Sequence, residues 1–73
     1  GYTQWFKLSE ATADRTLTVN AKQGGDFVVY DEQGLMIHSS VISDNTTVQL
    51  PAKGMIVFGG NPGNTFDIEL KDK

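Results

Sequence analysis

Turn-forming residues interrupt this chain roughly every 8–12 residues, and the runs between them alternate apolar with polar. Such spacing suits short strands and leaves no segment long enough for a stable helix. Residues 15–20, RTLTVN, show the pattern most cleanly: Leu17 and Val19 fall on one face, Thr16 and Thr18 on the other. Residues 65–70, TFDIEL, repeat it with Phe66, Ile68 and Leu70 inward and Asp67 and Glu69 outward. In 46–50, TTVQL, Val48 and Leu50 point inward. In 3–8, TQWFKL, Phe6 and Leu8 share the core face, and Thr3, Trp5 and Lys7 take the other.

Residues 26–41 read as one antiparallel hairpin around which the other strands wrap. Phe27, Val28, Val29 and Tyr30 favour a pleated, packed backbone. Asp31-Glu32-Gln33-Gly34 breaks the run: Asp suits the first corner of a turn, and Gly34 can take positive φ. Leu35, Met36 and Ile37 begin the return strand, with Ile37 in the core. The LPAKG segment at 50–54 reads as the reversal of a second hairpin. MIVF at 55–58 is too apolar for a half-exposed strand, so both its faces are expected to be covered, with Ile56 and Phe58 in the core. Residues 9–14 and the GGNPGN run at 59–64 read as loops, and Lys22-Gln23-Gly24-Gly25 as a turn.

The expected fold is therefore all-β, an antiparallel sandwich of jelly-roll or immunoglobulin-like type with seven or eight short strands. Its 73 residues make a single domain, 1–73, and its start at Gly1 without Met reads as a piece excised from a larger protein. A chain this short buries only about 60% of its extended surface, so its margin of stability is thin.

Composition narrows the partners. Net charge is −3, and the six basic residues are scattered at 7, 15, 22, 53, 71 and 73. No basic cluster forms a footprint for nucleic acid, and no apolar run approaches the ~20 residues that insert in a membrane. The absence of Cys removes disulfides, thiolate metal sites and thiol nucleophiles.

LTV at 17–19, DFVVYDEQG at 26–34, LPAKGMIVFGG at 50–60 and NTFDIEL at 64–70 together resemble the pre-peptidase C-terminal domain, an accessory β-sandwich of bacterial secreted hydrolases. A similar layout occurs in small sandwich domains behind penicillin-binding and serine β-lactamase-like enzymes. The resemblance implies an extracellular or cell-surface setting and a multidomain parent whose other domains are the partners. That family's acidic calcium positions are poorly reproduced here.

Four features of the sequence bear on chemistry. His38 is the single histidine, and Ser39 and Ser40 follow it. Strand neighbours point to opposite faces, and Ser40, on the same face as His38, lies about 7 Å along the strand, too far for a nucleophile and its base. A strand histidine on a partly solvated face accounts for it. Asp26, Asp31 and Glu32, with Asp44-Asn45 in another turn, offer oxygen ligands of the kind Ca²⁺ takes. Asp and Asn also populate turns because they bond their own backbone, so no cofactor is expected. GGNPGN lacks the Lys-Ser/Thr and the helix of a phosphate cradle.

Trp5 is the fourth. It faces away from Phe6 and Leu8, and Tyr30 and Val28 can share that outward side with Met36 and His38 opposite. The expected function is a non-catalytic accessory domain that packs on or positions its parent. The alternative is a carbohydrate- or cell-wall-binding module that uses Trp5, Tyr30 and His38 as a stacking strip for polysaccharide.

Overall fold

The computed structural model of the chain describes residues 2–8, 15–43, 45–60 and 65–71. Seven antiparallel strands form two sheets: β1 (Tyr2–Leu8), β2 (Thr16–Ala21), β3 (Asp26–Tyr30), β4 (Met36–Val41), β5 (Thr46–Gln49), β6 (Gly54–Gly60) and β7 (Phe66–Lys71). One sheet has the order β1-β6-β3-β4, the other β5-β2-β7, and their inner faces enclose the core. The all-β sandwich expected from the alternation is the observed fold. The expected loop at 9–14, Asp44, and residues 61–64 of the glycine loop lie outside the described residues.

β3 and β4 form the hairpin. Asp31 closes its turn: Oδ1 accepts the N–H groups of Gln33 and Leu35, both at 2.9 Å, and the Asp31 carbonyl accepts from Gly34 N–H at 3.0 Å. Gly34 takes φ +85°, as the turn requires. The return strand starts at Met36, so Leu35 belongs to the turn. The turn at 22–25 carries the chain from one sheet to the other, with Gly24 and Gly25 at φ +72° and +116°.

The LPAKG reversal is not a second hairpin. β5 and β6 sit in different sheets, so the segment is another crossing. Gly54 enters β6 at φ +143°, and a Cβ built there would collide with the Tyr30 carbonyl oxygen. Two backbones meet here with no room for a side chain. Gly59 and Gly60 also differ from expectation. They extend β6, paired with Thr3 and Tyr2 of β1.

The core centres on Phe27, Phe58, Val19 and Val29, the largest fully buried side chains. The Phe58 ring lies 6.2 Å from that of Phe27, 5.4 Å from Phe66 and 6.1 Å from Phe6. Leu8, Leu17, Val48, Leu50 and Ile56 complete it as expected. Ile42 is a buried member that alternation did not reveal. It follows β4 in the crossing to β5, and its N–H donates to the Gly25 carbonyl at 2.9 Å.

Four expected core residues are open to solvent. Phe6, Ile68 and Leu70 remain 44%, 44% and 40% exposed, although register places them on inner faces. Each stands on an edge strand, where the opposite sheet covers one flank only. Ile37 is exposed for a different reason. Val29 pairs with His38 and Tyr30 with Met36, which leaves Ile37 as the extra residue of a bulge.

Candidate functional site

Register across the four-stranded sheet determines which side chains share its outer face. Directly paired residues point the same way. One row runs Trp5, Val57, Val28, Ser39, and the next runs Lys7, Met55, Tyr30, Met36. Beyond them Val41 pairs with Asp26. The centre of the face is thus aliphatic: Val57, Val28 and Met55 are half-buried by their neighbours, with no further layer of described residues over them. The expectation that both faces of MIVF are covered holds for the inner face alone. Trp5, at 60% exposure, and Met36 and Val41, both more exposed still, stand at the two borders.

One end of this face deepens into a shallow open concavity. Trp5, Tyr30 and Met55 form its floor. The rim comes from three places: Lys7 on β1, Asp31 and Glu32 in the hairpin turn, and Lys53 in the crossing before β6. Trp5 and Tyr30 are two strands apart across the sheet and two residues apart along it. That places their backbones about 12 Å apart by ordinary sheet spacing. The floor offers ring faces and a thioether to an apolar partner, and the rim carries charges of both signs.

His38 does not join them. The bulge at Ile37 breaks the alternation, so His38 falls opposite Val29 on the inner face while Met36 stays outside beside Tyr30. The His38 ring lies 5.7 Å from the buried Phe27 ring. Ser40 shares its face, and its hydroxyl donates to the Val41 carbonyl at 3.0 Å. Alternation alone brought Trp5 and Tyr30 to this side. Met55 carried a signal too, in the excess apolarity of MIVF, but Lys53 arrives through a sheet-to-sheet crossing that local pattern does not specify.

The acidic residues considered for calcium are dispersed or engaged. Asp31 Oδ1 holds two backbone N–H groups, Glu32 sits at the exposed turn, and Asp26 lies at the far end of β3. Among the described residues no three His, Cys, Asp or Glu side chains gather closely enough to hold a metal. Asn45, at φ +57°, receives support instead from Asn20, whose Oδ1 accepts its N–H at 2.6 Å.

Comparison with protein-family models, curated proteins and solved structures finds no match.

Proposed function

We propose that this chain is a non-catalytic docking domain, and that the outer face of its four-stranded sheet packs against another domain of the protein that carries it. The observation that carries this reading is the aliphatic centre of that face, with Trp5 60% exposed at its border. Large exposed apolar patches with polar rims are the usual mark of a protein contact. A sugar platform needs hydrogen-bonding groups among its rings. Here Val57, Val28 and Met55 occupy the middle, and the charged groups stay at the rim. The resemblance to accessory sandwiches of secreted bacterial hydrolases fits this role and suggests an extracellular setting.

A second reading rests on the concavity. Trp5 and Tyr30 share its floor, and Lys7 and Glu32 edge it, an arrangement in which polysaccharide can stack and bond.

Trp5 is the single tryptophan, so its fluorescence reports the face directly. In the isolated chain the emission is expected to be red-shifted and readily quenched by acrylamide. Protection in the longer polypeptide, absent with cell-wall polysaccharide, supports docking. Protection by polysaccharide transfers the function to the second reading. A blue, unquenchable spectrum in the isolated chain removes Trp5 from both. Trp5→Ala should leave stability within about 0.5 kcal/mol, as for exposed positions generally, while abolishing the protected state.

A further inference from the structure

The chain has two methionines, and both fall in one row of the outer face. Tyr30 stands between them, paired with Met55 on β6 and with Met36 on β4. Neighbouring strands lie about 4.8 Å apart, and directly paired residues point the same way, so thioether, phenol and thioether follow one another across three strands. The bulge at Ile37 builds this row. Val29 pairs with His38, so an uninterrupted ladder would set Ile37 opposite Tyr30, and the extra residue brings Met36 there instead. Met36 is 63% exposed at the β4 border, and Met55 is half-buried beside Trp5 and Tyr30 in the concavity. Neither belongs to the core. The chain has no Cys to compete for an oxidant.

We propose that Met36 and Met55 form a reversible oxidation site, and that hydrogen peroxide acting there switches off docking through the outer face. The switch rests on the docking reading given above. The thioether sulfur attacks one peroxide oxygen with its lone pair, and the O–O bond breaks. The hydroxide that leaves takes the proton of the transferred hydroxyl and becomes water. Sulfur gives up two electrons and the peroxide accepts them. The product is a sulfoxide, a polar group in place of an apolar one, with a strong hydrogen-bond acceptor and no donor.

The direction of the switch follows from the two states it acts on. In the docked state an apolar partner surface supplies no donor for the sulfoxide oxygen, so each oxidation leaves a buried acceptor unpaired. In the free state water satisfies the same oxygen. Oxidation therefore favours the free state by the difference between the two. Because both methionines stand outside the core, the sandwich itself keeps its packing. A docked partner also covers both sulfurs, so peroxide captures the chain while it is free and holds it there until the sulfoxides are reduced.

The test begins with hydrogen peroxide added to the chain, with oxygen addition located by peptide mass spectrometry. Met36 is expected to react about threefold faster than Met55, in the order of their exposure. The urea midpoint of the doubly oxidised chain should match that of the untreated one. In the longer polypeptide, each sulfoxide should weaken docking about tenfold, so that Trp5 becomes as open to acrylamide as in the isolated chain. Methionine sulfoxide reductases of both epimer specificities should then restore its protection. Trp5 left open after complete repair would place the effect at another residue and overturn the proposal. So would a lowered urea midpoint, or failure of Met36 or Met55 to react in the isolated chain. Equal protection before and after oxidation would overturn it too, while leaving the docking reading in place. No protection in the untreated polypeptide overturns the docking reading and the switch with it.

Discussion

β6 and β7 both turn bulky apolar residues toward the opposing sheet and meet different fates. In β6, Ile56 and Phe58 are 3% and 1% exposed, whereas Ile68 and Leu70 in β7 stay more than a third open. β6 lies between β1 and β3, while β7 has β2 on one side and a free edge on the other. Alternation sets the face a side chain points to, and the position of the strand in its sheet sets how much water is removed. The hydrophobic contribution scales with the second quantity.

Replacement at the centre should have the largest effect. Phe58→Ala removes the ring that Phe6, Phe27 and Phe66 surround, and the expected loss is about 3–5 kcal/mol by urea denaturation. That is a large part of the roughly 4–11 kcal/mol expected for a chain of this length. A loss below about 1 kcal/mol would remove the distinction between centre and edge.

Gly54→Ala probes the centre through the backbone. The added Cβ meets the Tyr30 carbonyl, and alanine disfavours φ +143°, so about 2–3 kcal/mol is expected. Thermal unfolding measures it. An unchanged midpoint would show that β6 and β3 can separate at this end, as an edge could and a centre should not.

Leu70→Ala is the edge counterpart and should cost about 1 kcal/mol or less, since much of the side chain is already in water. A loss equal to that of Phe58→Ala would mean that Leu70 is covered in solution.

The candidate site was partly legible in the sequence. Trp5 lies between Thr3 and Lys7 and opposite in parity to Phe6 and Leu8, so its outward direction followed from period-two geometry. Tyr30 followed in the same way. His38 did not, because one extra residue, Ile37, reverses the face of everything beyond it, and MIHSSV contains no Gly or Pro to announce a bulge. Ile42 was hidden for a similar reason: it lies in a crossing, outside any alternating run.

By itself the sequence determined the all-β class, most strand positions, the Asp31–Gly34 turn and the facing of residues such as Leu17, Val19, Phe27 and Phe58. These depend on neighbours within a few positions, through side-chain alternation and the φ preferences of Gly and Asp. Tertiary structure alone decided that LPAKG crosses between sheets, that Lys53 reaches the rim beside Trp5, and that the inward-facing Phe6, Ile68 and Leu70 stay wet. Those outcomes depend on which strands become neighbours and how many each sheet holds. Strand order is set by packing among residues far apart in the chain, and local pattern carries no term for it.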